Sequence, residues 1–119
     1  MAANDRAALE VVAFQLAARL EEYEAECREM VRTWYDADLY EQVSRSVDVM
    51  RLHCASIPQL SVPWVALLIA HTELVHCLWK VGADLPASAP RMQDCLRGHA
   101  AALGRLQERC IWLFSRAEH

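Results

Sequence analysis

The sequence predicts an all-α protein, an antiparallel up-down-up-down four-helix bundle that forms a single domain over residues 1–119. Apolar residues recur at alternating intervals of three and four along four separate segments, the pattern of a helix packed lengthwise on its neighbours. Glycine (3) and proline (4) are scarce, and the prolines fall between these segments. No stretch alternates apolar and polar residues with a period of two. At 55% hydrophobic residues, a chain of 119 is long enough for one core and too short for two.

In the first segment Asn4 or Asp5 suits the N-cap of a helix over 5–33. Its seam is Leu9, Ala13, Leu16, Leu20, Tyr23, Cys27, Met30 and Trp34. The opposite face carries Glu21, Glu22, Glu24, Glu26 and Glu29 with Arg19, Arg28 and Arg32, and reads as a solvated surface. Asp36 or Asp38 caps the second helix, whose seam is Tyr40, Val43, Val47, Met50, Cys54 and Ile57. Pro58 and Pro63 bracket a short connection, with Ser61 as the expected N-cap of the third helix. That helix ends at Gly82. A linker over 83–87 then leads to Ser88 as N-cap and Pro90 in the first turn of the fourth helix, whose seam is Met92, Leu96, His99, Leu103, Leu106, Cys110 and Leu113.

The third helix organises the rest. Its stretch Val62–Val81 is apolar on nearly every side, interrupted only by His71, Thr72, Glu73, His76 and Lys80. Such a helix is buried on several sides or lies in a membrane. Twenty residues suffice to span, but Glu73 near the centre would cost about 2.5–3.5 kcal/mol on insertion scales, and the flanking helices are amphipathic. A central bundle helix is therefore expected rather than a membrane span.

Net charge −4, with no basic stripe carrying interleaved aromatics, argues against nucleic acid as a partner. The N-terminal MAANDRAALE has no basic region running into an apolar one, so no secretory signal is expected. Five cysteines without a CxxC motif suggest reduced thiols and a cytoplasmic location. Cys27, Cys54 and Cys110 lie on seams, whereas Cys77 and Cys95 lie off them at one height, where they could form a metal or redox pair. Arginine supplies nearly all the basic residues, which, with the many alanines, suggests a GC-rich bacterial genome.

The seam of the third helix, Trp64, Leu67, His71, Leu74, Leu78 and Val81, places His71 in the core, as His99 is in the fourth. Folding the helices back on their connections brings Tyr23, His71 and His99 into one mid-bundle layer beside Val47 or Met50. Facing imidazoles can ligate haem or a transition metal, so His71 and His99 are candidate cofactor ligands. The alternative is a hydrogen-bonded polar layer that sets register and holds no cofactor, which is the expected state. Glu73 and His76 have the Glu-x-x-His spacing of di-iron bundles. They lack the second such motif, and they lie on a different face from His71.

Ala70-His71-Thr72 resembles the start of the phosphorylatable segment of histidine phosphotransfer domains, which are helical bundles of similar size. Where that family has Lys and Gly at the third and fourth positions after the histidine, this chain has Leu74 and Val75. His71 also lies on the apolar seam instead of facing solvent, and the activity is not carried over.

With no phosphate loop, nucleophile elbow or HExxH motif, an enzyme is not expected. The expected function is a non-catalytic interaction or regulatory protein, with a homodimer or another protein as partner; the alternative is a haem- or metal-binding bundle. Once the seam is buried, Val65, Leu68, Ile69 and Trp79 on the third helix and Ile111, Trp112 and Phe114 on the fourth are left over, and these are the expected contacts.

Overall fold

A computed structural model describes the backbone of residues 2–33, 36–83 and 85–115 and the side chains of residues 6–33, 36–80 and 90–114. Among the described residues four helices follow in order: α1 (Ala2–Arg32), α2 (Ala37–Ala55), α3 (Ser61–Ala83) and α4 (Leu85–Ser115), with a 3-10 turn at Pro58–Leu60 before α3. They assemble as the helical bundle that the periodicity predicts.

The seams are the core. Ala13, Leu16, Leu20, Tyr23, Cys27 and Met30 of α1 are buried together with Val43, Val47, Met50 and Cys54 of α2. From the other side come Trp64, Leu67, Leu74 and Leu78 of α3, with Met92, Leu103, Leu106 and Cys110 of α4. Full burial of one such aliphatic side chain is worth about 1.5–3 kcal/mol, so this inner surface decides the fold. The charged faces carry pairs one turn apart, among them Arg19–Glu22 at 2.9 Å, Arg32–Glu29 and Arg97–Asp94. All are exposed and contribute little to stability.

Several boundaries differ from the expectation. α1 begins at Ala2, so neither Asn4 nor Asp5 is its cap. Asp36 rather than Asp38 caps α2, its side chain accepting from the amides of Asp38 and Leu39 at 2.8 and 3.2 Å. Ser61 already has helical angles, because the 3-10 turn feeds straight into α3 and supplies the carbonyl of Pro58 to its amide. α4 starts at Leu85, not after Ser88, so 85–90 is helical and Pro90 sits inside the helix. Pro86 falls in the first turn, where an amide proton would have no helical partner, whereas Pro90, one turn later, forgoes the bond to the carbonyl of residue 86 and still leaves the helix continuous. Trp34 and Tyr35, expected to end α1, lie outside the described residues, as do the side chains of Val81 and Ser88.

Packing is uneven around the bundle. α3 lies along α4, and α1 lies against both α2 and α4, but α2 and α3 meet only sparsely. Along that loose edge runs a cleft of about 440 Å³ lined by Tyr40, His71, Thr72, Val75, His76 and Trp79. The stretch Pro58–Lys80 is long and apolar enough to cross a membrane by length and composition; its seam residues are instead buried against α1 and α4.

Candidate functional site

Tyr23 reaches the centre of the bundle from α1, and its position follows from the seam: it is one turn after Leu20 and one turn before Cys27. Its hydroxyl lies 2.7 Å from Nδ1 of His71 on α3 and 2.7 Å from Nε2 of His99 on α4. Both imidazoles tilt 48° to the phenol ring, with centroids 5.7 and 5.6 Å away. The expected layer of Tyr23, His71 and His99 is therefore present, with the phenol as its bridge. Ser46 of α2 bonds to Glu26 of α1 at 2.6 Å, which fixes those two helices one turn along from the layer.

Tyr23 carries one hydroxyl proton, and two ring nitrogens face it. It donates to one imidazole and accepts from the N–H of the other, so the tautomers of His71 and His99 are set together. Cys27 joins the group. Its Sγ and one nitrogen each of His71 and His99 all lie within 4.8 Å of one another.

Electrostatics keep the whole group neutral. Burial pushes the Tyr23 phenol well above its ordinary value and the Cys27 thiol up to about 12, although the hydrogen bond between them works the other way on the thiol. Burial lowers His71, and burial together with the neighbouring His71 lowers His99 to about 4. Four titratable groups thus share a desolvated site with no net charge. Each has a hydrogen-bond partner, which is what permits them to be there.

The layer can be approached from two sides. His71 is half-buried and lines the α2–α3 cleft, while Cys27 and His99 line a smaller groove of about 180 Å³ with Leu74, Leu96 and Leu103. Haem does not suit this arrangement: the macrocycle would have to stand where the phenol bridges the imidazoles, with Leu74 and Leu103 closing the flank. Cys27 was read from the sequence only as a small apolar seam residue. Its i,i+4 relation to Tyr23 on the same face was the available signal.

The other candidates fall elsewhere. Glu73 and His76 are exposed along a shallow groove with Arg91, Asp94 and Cys95, away from the core layer, as the helical wheel predicts. Cys77 is buried, against expectation, because the tight packing of α3 on α4 covers the flank where it lies; Cys95 beside it is half-buried.

Val65, Ile69, Ile111 and Trp112 are exposed, and Leu68 and Phe114 half-buried. Val62, Pro63 and Ala66 of α3 share a groove with Trp112 of α4, which brings the start of one helix beside the end of the other. Ile111 and Phe114 turn instead toward Phe14 of α1, with the two phenylalanine rings edge-on at 5.9 Å. Trp79 does not belong to either group: it lines the α2–α3 cleft beyond His71. Comparison with protein-family models, with curated proteins and with solved structures finds no match to this chain.

Proposed function

We propose that the chain is a non-catalytic interaction protein that pairs with a second copy of itself through the start of α3 and the end of α4. The observation that carries this reading is a doubly used helix. α3 buries Trp64, Leu67, Leu74 and Leu78 in its own core, yet Val62, Val65 and Ile69 on its outer face remain 79%, 52% and 56% exposed. Trp112 of α4 shares a groove with Val62, Pro63 and Ala66 at the start of that helix, its ring covered by the Arg109 guanidinium at 5.1 Å. Apolar surface concentrated in this way is characteristic of contact sites. Its rim carries both signs of charge, Arg105 and Arg109 with Glu108, so two-fold pairing can set the cation of one copy against the anion of the other. All five cysteines are free thiols, which supports a reducing, cytoplasmic setting for the pair.

Light scattering after size exclusion tests the reading. The expected mass is twice the 13.5 kDa of one chain, and Ile69→Glu should return it to one. A monomer at tens of micromolar, or a dimer that Ile69→Glu leaves intact, would overturn it.

A further inference from the structure

We propose that Cys27, His71 and His99, with Tyr23 as fourth donor, form a binding site for one divalent transition-metal ion of the zinc type. This rests on the core layer alone and is independent of the dimer.

The donor set is one sulfur, two imidazole nitrogens and one phenol oxygen, drawn from α1, α3 and α4. Borderline-soft ions with no directional preference, zinc above all, take such mixtures of sulfur and nitrogen in tetrahedral sites. The distances suit it. In a tetrahedral site with bonds of about 2.0–2.3 Å, neighbouring ligand atoms stand roughly 3.3–3.6 Å apart. The present separations are compatible with that range: the sulfur and nitrogens lie no farther than 4.8 Å apart, and the hydroxyl is 2.7 Å from each nitrogen. The phenol has to withdraw by about half an ångström, and the thiol and imidazoles have to close in by at most about one. Side-chain rotations on fixed helices supply movements of that size.

Charge balance favours all four groups over three. A divalent ion with two neutral imidazoles and one thiolate would leave one positive charge in an apolar core. Ionising the Tyr23 phenol as well brings the site to neutrality, so binding releases two protons to solvent, one from the thiol and one from the phenol. The metal-free site holds the matching neutral arrangement, in which the phenol bridges the imidazoles. Cys27 and His99 open onto the groove between α1 and α4, and His71 onto the α2–α3 cleft, so an ion has a path inward.

The test uses the full chain stripped with a chelator and titrated with cobalt(II), then with zinc(II). The expected result is one ion per chain, with the sulfur-to-cobalt charge-transfer band and the intense visible bands of a tetrahedral site, both discharged by zinc. Cys27→Ser should abolish the charge-transfer band, and His99→Gln should weaken binding by more than the roughly 10–100-fold typical of losing an outer-shell partner. Tyr23→Phe should reduce the protons released from two to one. Should a variant fail to fold, the unaltered chain decides: zinc should shield Cys27 from alkylation in peptide mapping and raise the thermal midpoint. No stoichiometric binding would overturn the proposal. So would binding that leaves Cys27 open to alkylation and is lost instead in His76→Ala, which would place the ion at the surface groove with Glu73, Asp94 and Cys95.

Discussion

Replacing Tyr23 by phenylalanine removes one oxygen from the centre of the bundle and leaves the ring packing intact. That oxygen serves His71 and His99 at once, each at 2.7 Å. His99 is only 6% exposed, so stranding its ring nitrogen should cost about 1–3 kcal/mol. His71 borders the cleft and can turn to solvent, so its loss is nearer the net value of a hydrogen bond, about 0.5–1.5 kcal/mol. Together these give about 1.5–4.5 kcal/mol, a large share of the roughly 5–15 kcal/mol that holds a domain folded. Urea unfolding followed by far-ultraviolet circular dichroism measures it. A second arm isolates the bridge: His71→Leu and His99→Leu should couple by about 0.5–3 kcal/mol when Tyr23 is present and become additive in the Tyr23→Phe background. A loss below about 0.5 kcal/mol, or coupling that survives without the hydroxyl, would refute the bridging role.

Other perturbations follow from the same structure. His99, held at about 4 by burial and by His71, stays neutral in the fold while the unfolded chain protonates near the ordinary 6.5. Its contribution is therefore complete above pH 6.5 and declines as pH falls toward 4, by roughly 3 kcal/mol at 1.36 kcal/mol per unit. His71 adds in the same direction, and urea midpoints between pH 4 and 7 should fall on acidification, less steeply in His99→Leu. A thiol reagent should reach Cys95 first in the native protein, though slowly since its thiol is pushed up to about 11, with the four buried cysteines reacting more slowly still, and all five should react together in denaturant. Gly98 and Gly104 lie inside α4 with open space where a Cβ would go, so either one changed to alanine should raise stability by about 0.5–1 kcal/mol in thermal unfolding. Asp36→Ala removes the cap of α2 and should cost about 1 kcal/mol in the same assay.

The spacing of apolar residues was enough to place the core layer, because a helix repeats so regularly that heights can be counted across a turn. Tyr23, His71 and His99 were aligned in that way, and the hydrogen bonds join those three residues. Cys27 escaped because a cysteine on a seam looks like any small apolar residue until a nitrogen is beside it. The start of α4 is set too late because Pro86 reads as part of a linker and Ser88 as a cap, although a helix tolerates proline in its first turn. Nothing in the pattern of α2 announced its weak contact with α3. A seam shows that a helix has an inner face, not which neighbour fills it, and Val43, Val47 and Met50 are fully occupied without closing that edge.

The loose α2–α3 edge leaves the bundle closed firmly on three sides, α2–α1, α1–α4 and α4–α3, and only sparsely on the fourth. Such a bundle opens first at its weakest edge. α2 is its shortest member at 19 residues and is tethered mainly through α1. It is therefore the cheapest cooperative unit to release, through partial openings that leave the α3–α4 hairpin intact. Backbone amides of α2 then trade their protons with solvent long before those of α3 and α4. Each such excursion uncovers the flank of His71 that Tyr40 shares, so the slow breathing of one helix meters how often water meets the protein's polar centre.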